Sequence, residues 1–250
     1  MNLYLGTFAQ PSFMALVGFS AIASALFVAL RHRTFHQMPA FFTVFDVGLV
    51  TLVAGVIGAK AGYVLLNGGA WLDGGLSWHA GLVAGMVALA ILSRWHTLNQ
   101  ALVWDSLAWC LPFIMLMAWW GCRGAACGFG REVATLADYP AVLVWEGRDL
   151  TNTLAPRFST QSLGMIGAIG AWLILALVAY RGWLIGRWFG LMLVVMGGVM
   201  FAIGFLRADP AGMLGGVRVD QALDGVVIGL GAVMCLTRPS ERPPTQQGGA

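Results

Sequence analysis

The sequence predicts an all-α integral membrane protein of about seven transmembrane helices with a small extracytoplasmic cap. Three observations carry this. The 250 residues are 59% hydrophobic and only 10% charged, against about 25% charged in soluble domains. Several apolar runs approach or exceed the roughly 20 residues needed to cross a bilayer. Those runs are continuously apolar, where a membrane β-barrel would alternate, and backbone groups in lipid must be satisfied within the segment, so each run reads as a helix.

The expected spans are Pro11–Leu30, Phe41–Leu66, Leu76–Leu92, Ala101–Gly121, Ser162–Tyr180, Trp188–Leu206 and Gln221–Leu236. The third and seventh are short and carry the weakest signal. The first run is expected to be a retained helix, because Met1–Gln10 lacks the basic stretch of a secretory signal. Between spans four and five, Cys122–Gln161 carries four Arg and four acids and reads as an extracytoplasmic cap inserted in a membrane domain covering residues 1–236. The Pro-, Gln- and Gly-rich residues 237–250 read as a disordered cytoplasmic tail. Arg31, Arg33, Arg94, Arg181, Arg187, Arg238 and Arg242 fall on one side of a seven-span topology. The positive-inside rule makes that side cytoplasmic, with the N-terminus outside and the C-terminus inside. Arg207 and Arg218, after span six, lie on the opposite side and reduce the asymmetry.

Composition also excludes. Basic residues lie scattered between apolar runs, with a formal charge of only +3, so no nucleic-acid partner is expected. Glycine-rich phosphate loops are absent, and neither cofactor nor metal is expected. The 34 Gly are spread through the apolar runs, where they suit close helix packing. Cys110 and Cys235 read as buried, inert thiols. For Cys122 and Cys127 a disulfide and two free thiols both stay open, with free thiols favoured.

Polar groups in apolar runs point to function, since Lys or Asp at mid-membrane costs about 2.5–3.5 kcal/mol on insertion scales. Lys60 lies near the outer end of span two and His79 at the outer start of span three. The short connection makes these helices antiparallel neighbours and sets both residues at similar depth. Arg123 and Arg131 enter the same layer from span four and the cap. A cationic cluster containing His at headgroup depth suits an anionic phospholipid, because Arg grips phosphate through a bidentate fork and His exchanges protons near neutral pH. The competing reading has Lys60 snorkelling to the interface and His79 as an interfacial neighbour of Trp78. Asp46 and Asp105, near the inner starts of spans two and four, read as helix N-caps.

Gly58-Ala59-Lys60-Ala61-Gly62-Tyr63-Val64-Leu65 resembles a glycine–arginine–glycine–tyrosine segment of the bacterial prolipoprotein diacylglyceryl transferase family, with Lys for Arg. Gly74-Gly75-Leu76-Ser77-Trp78-His79-Ala80-Gly81 resembles that family's Gly-Gly-Met/Leu-Ser-Phe/Trp-His-Gly-Gly motif and is the most specific match. Asp105, Pro112, Gly121-Cys122 and Cys127-Gly128-Phe129-Gly130-Arg131 resemble its signature around the fourth helix. Arg157-Phe158-Ser159-Thr160-Gln161 resembles the start of the next helix, and Gly190-Leu191 with Phe205-Leu206-Arg207 the penultimate one. Order and spacing hold from about residue 12 to 236. The resemblance implies transfer of diacylglyceryl from an anionic phospholipid such as phosphatidylglycerol to a cysteine thiol of an exported lipoprotein precursor, in the bacterial cytoplasmic (inner) membrane. It implies His79 as base, Lys60 with Arg123 and Arg131 as phosphate ligands, and Tyr63, Gly74, Gly75, Gly121, Gly130 and Gln161 as structural motif residues.

The sequence also departs from that pattern. A family arginine falls on Trp119 and a family acid on Cys127. Tyr, Arg and Glu positions of span six fall on Met196, Met200 and Gly204, and His, Tyr and Glu positions of span five on Phe158, Leu163 and Gly164. Arg123, one turn beyond Trp119, compensates only if the fourth helix continues past it. Two functions are therefore carried forward: a divergent diacylglyceryl transferase, and an inactive subunit of the same fold that binds lipid or packs in a larger membrane complex. A transporter ranks third, because no inverted repeat or broken helix pair is evident.

Overall fold

The computed structural model describes residues 13–35, 40–67, 71, 75–149 and 151–237. Seven helices occupy them: α1 (Phe13–Phe35), α2 (Ala40–Asn67), α3 (Trp78–Trp95), α4 (Gln100–Ala125), α5 (Thr160–Tyr180), α6 (Trp188–Gly204) and α7 (Val219–Thr237). Each predicted span has its helix. Five are long and apolar enough to cross a membrane, with Ala15–Arg31 and Trp188–Gly204 as shorter apolar segments. The 17 residues of α6 rise roughly 26 Å, close to one hydrocarbon thickness. The chain is a multi-pass, all-α membrane protein. Gly74 and residues 238–250 lie outside the described residues, so the motif glycine and all but the first residue of the expected tail do too.

The centre of the bundle is α4, which packs on α1, α5 and α6. Its buried stripe includes Val103, Trp104, Leu107, Met115 and Trp119. Trp104 meets Phe189 of α6 edge-on at 4.7 Å between ring centroids, and Leu175, Met192, Leu193 and Met196 complete the core. Around this centre two helix pairs approach through small residues. In α2–α3, a Cβ on Gly58 would sit 2.2 Å from Ala84 Cβ, and one on Gly62 the same distance from Ala80 Cβ. In α6–α7, a Cβ on Gly231 would lie 2.6 Å from the Gly190 carbonyl. Small residues let helix backbones approach where lipid supplies no hydrophobic drive for association.

Two local expectations need correction. Asp105 does not cap its own helix: Asn99 does, its Oδ1 accepting from Leu102 N at 3.1 Å. The Asp105 carboxylate lies six positions along α4 and instead accepts from Gly186 N at 2.6 Å and Trp188 N at 2.9 Å. It caps α6 from a neighbouring helix. Asp46 is likewise past the N-terminus of α2, which begins at Ala40, and is exposed.

Between α4 and α5 the chain forms a short 3-10 turn (Leu136–Asp138) and an antiparallel hairpin, β1 (Val144–Arg148) with β2 (Leu154–Phe158). The hairpin is held by Arg157, buried, whose Nη2 donates to Glu132 at 2.6 Å and Asp149 at 3.0 Å. Gly130 and Arg207 form a β-bridge, and Ala208 N donates to Phe129 O at 2.9 Å. These ties join the insert to the α6–α7 connection, which carries a second small hairpin, β3 (Met213–Leu214) with β4 (Val217–Arg218).

Candidate functional site

The site is assembled where the C-terminal ends of α2, α4 and α6 meet the N-terminal ends of α3, α5 and α7. Ser77 starts α3 with a capping bond to Ala80 N, and its own N–H donates to Ala59 O of α2 at 2.8 Å. Gly62 abuts Ala80 on the other side of Lys60. Lys60 and His79 therefore share one layer of the α2–α3 pair. Lys60 Nζ lies 5.5 Å from the Tyr63 ring centroid. Tyr63 in turn packs on Gly75: a Cβ there would lie 2.3 Å from the phenol ring, and φ is +114°, so both space and backbone require glycine.

His79 Nε2 hydrogen-bonds Asp224 Oδ1 at 2.8 Å. The histidine side chain is 15% exposed and the carboxylate 4%. Asp224 enters from α7, 145 residues along the chain, and was not among the residues expected at the site. A signal was present: an acid inside an apolar span must find protein or water. Just N-terminal to it, Gln221 fixes the register of α7 on α6. Its Nε2 donates to Phe201 O at 3.1 Å, and its side chain fills the space a Cβ on Gly204 would need.

Beside this pair lies a four-charge lattice. Arg207 Nε donates to Asp209 at 2.7 Å and its Nη1 lies 3.2 Å from Asp220. Arg218 Nε donates to Asp220 at 3.0 Å, and its Nη2 lies 3.5 Å from Asp209. Burial opposes the Arg207 charge. The hydrogen bond to Asp209 and the charges of Asp209, Asp220 and Asp224 outweigh it and hold this guanidinium above its ordinary value. These two arginines are matched by carboxylates and act as a clasp on the α6–α7 connection.

Arg123 and Arg131 are placed differently. Helix α4 continues to Ala125, so Arg123 is helical. It is exposed, its guanidinium 4.3 Å from the Trp145 ring centroid and donating to Ser162 Oγ at 3.3 Å. Arg131 is exposed, with its backbone N–H donating to Leu206 O at 2.8 Å and its carbonyl accepting from Phe158 N. Among the described residues neither makes a hydrogen bond or ion pair to His79.

The remaining motif residues are structural. Gln161 Nε2 donates to Cys127 O at 3.0 Å and Thr160 Oγ1 to Gly128 O at 2.6 Å, fastening the start of α5 to the insert. A Cβ on Gly130 would lie 2.2 Å from Phe158 O, and one on Gly121 would press on Phe13. Cys122 and Cys127 form a disulfide; the favoured reading of two free thiols is corrected. Residue Ala126 turns left-handed (φ 54°) just past α4 and folds the chain back, so the Cα atoms stand 4.7 Å apart, within bonding range. Cys110 and Cys235 are free, the first buried and the second partly so.

Trp119, at the position of a family arginine, is 6% exposed. Its indole covers Gly164, where a Cβ would come within 2.3 Å of the ring, and touches Gly128. Met196 is 1% exposed and Met200 packs against the same apolar core. An apolar crevice of ≈ 230 Å³ lies elsewhere, between α1, α4 and α5, lined by Ser24, Phe27, Trp109, Cys110, Phe113 and Trp172 among others.

The chain is a seven-helix, multi-pass membrane protein with a partly buried His–Asp pair at one end of its helices. Residues 9–237 match the prolipoprotein diacylglyceryl transferase family, and the chain belongs to it. No curated protein matches the chain.

Proposed function

We propose that this protein transfers a diacylglyceryl group from an anionic phospholipid, such as phosphatidylglycerol, to a cysteine thiol of an exported lipoprotein precursor, at the outer face of the bacterial cytoplasmic membrane. The observation that carries this reading is the placement of His79. It is a partly buried imidazole with a carboxylate partner, in the layer of Lys60, in a chain of this family. Thiolate, not thiol, is the nucleophile, so a base must take the S–H proton. His79 takes it. The sulfur then attacks the glyceryl carbon: the S–C bond forms as the C–O bond to phosphate breaks, and the electron pair leaves on the phosphate oxygen as glycerol phosphate. Lys60, with Arg123 from the end of α4 and Arg131 from the insert, holds the phosphate and stabilises its charge as it departs. The proton on His79 is released to the leaving phosphate or to water.

A second reading is favoured by one observation. Trp119, Met196 and Met200 fill the interior with apolar side chains where the family resemblance calls for charged and hydroxyl groups. On this reading the chain is a non-catalytic subunit that binds lipid or packs in a larger membrane complex. Complementation of a cell depleted of its diacylglyceryl transferase separates the two. The transferase reading expects rescue by the intact chain and none by His79→Ala at equal membrane abundance. An intact, inserted chain that does not rescue leaves the subunit reading; equal rescue by both versions removes His79 from the mechanism.

A further inference from the structure

We infer that Asp224 is a positioning residue that fixes the tautomer of His79 and makes Nδ1 the atom that receives the proton. The inference rests on the transferase reading for its chemistry, but its geometry stands alone. An ionised carboxylate has no proton to give and can only accept. A 2.8 Å contact between Asp224 Oδ1 and His79 Nε2 therefore places the ring N–H on Nε2. Among the described residues Nδ1 has no hydrogen-bond partner. In the neutral ring it keeps its lone pair, and it is the only ring nitrogen left to meet a substrate.

The pair is set on two rigid supports. His79 stands in the first turn of α3, locked to α2 by the Ser77–Ala59 bond and the glycine contacts of Gly58 and Gly62. Asp224 stands on α7, locked to α6 by Gln221 and by the Gly190–Gly231 approach. The two helix pairs meet through this hydrogen bond, so the imidazole cannot rotate without breaking it. The other charges that bear on Asp224 are Asp220, one turn earlier, and Arg207 from the α6–α7 connection. When His79 takes the thiol proton on Nδ1, the ring becomes a cation carrying both protons. Asp224, its side chain 4% exposed, then faces a full opposite charge, which stabilises the state in which the thiolate exists.

Asn at this position keeps the size of the side chain but loses the charge. Its amide can donate to Nε2 and so hold the opposite tautomer, with the proton on Nδ1. Transfer is measured with the full-length protein in nanodiscs containing phosphatidylglycerol and a synthetic precursor peptide bearing one cysteine. Asp224→Asn is expected to lower kcat by about 10²–10⁴-fold with KM little changed, and Asp224→Glu to retain more activity than Asn. In parallel, ¹⁵N spectra of histidine-labelled protein, with His79→Ala to assign the signal, read the tautomer without any turnover. Wild type is expected to show neutral His79 protonated on Nε2, and Asp224→Asn to shift the proton toward Nδ1. An unchanged His79 spectrum in Asp224→Asn overturns the inference, as does a variant with full kcat. Wild-type protein that transfers nothing removes the transferase reading instead, and the spectra alone then decide whether Asp224 sets the ring.

Discussion

Asp105 shows how much a single buried side chain can organise. It accepts from the N–H of Gly186, in the turn before α6, and from that of Trp188, the first residue of α6, which a helix N-terminus would otherwise leave unpaired, and it does so from α4. Asp105→Ala should cost about 2–4 kcal/mol, because two backbone donors lose a charged acceptor in a buried setting. Asp105→Asn should cost less, since one acceptor oxygen survives. Thermal unfolding of both variants in detergent checks the order; equal melting temperatures for wild type and Asp105→Ala would contradict it. Sequence alone showed an acid early in an apolar run, which fits a local cap as well as a distant one. The distinction depends on which helices become neighbours, and no local pattern encodes that. Asp224 was illegible in its partner for the same reason, although its presence in span seven marked it as a group that must be paired. That His79 and Lys60 stand on neighbouring helices was legible, because α2 and α3 are joined by a short connection and lie side by side.

At the scale of elements, the helices were readable, and the insert was readable as a cap but not as a hairpin. Each apolar run became a helix because lipid leaves the backbone no other way to satisfy itself, and the weak third and seventh runs form helices like the rest. The hairpin of β1 and β2 has no such constraint, and its local sequence shows neither alternation nor a clear turn signal. It is defined by Arg157, which gathers Glu132 and Asp149, and by Asp149 itself. The Thr151 hydroxyl, then the Thr153 and Thr151 N–H groups and Arg157, hold the Asp149 carboxyl below its ordinary value. A depressed carboxylate stabilises the fold above its unfolded pKa, and that contribution is lost as pH falls through the folded value. Protection of the β1–β2 turn against proteolysis should thus be full at neutral pH and fade as pH drops below about 4, while Asp149→Asn should show weak protection at every pH. The disulfide was left open by its spacing, because C-x4-C closes only if the helix ends between the two cysteines. A thiol count on unreduced, denatured protein should find two free thiols of the four cysteines. Replacing Cys122 and Cys127 by Ser should destabilise the junction of α4 and the insert by roughly 2 kcal/mol on loop-entropy grounds.

For the whole molecule, seven crossings would put the start of α1 and the end of α7 on opposite sides of the membrane. The described helices place the starts of α3, α5 and α7 with the ends of α2, α4 and α6, so the His79–Asp224 pair, the insert and the Arg207–Asp220 lattice share one face. The opposite face carries Arg31, Arg94, Arg181 and Arg187 in or beside short connections, with Arg33 in the last turn of α1. Orientation follows the Lys and Arg of short loops close to the helix ends, and a long insert counts for little. On that basis we propose that the arginine-rich connections face the cytoplasm, with Arg207 and Arg218 on the outer side. The proposed transfer would require the same placement, because an exported precursor would meet His79 outside, where disulfides also form. Single cysteines in a background with Cys110 and Cys235 replaced test it directly. A cysteine at Gly215, in the exposed β3–β4 turn, should react with an impermeant maleimide added to intact spheroplasts, and one at Trp183, between α5 and α6, should react only after the membrane is opened. The reverse pattern would place His79 on the cytoplasmic side, away from any exported thiol, and would remove the proposed acceptor together with the orientation.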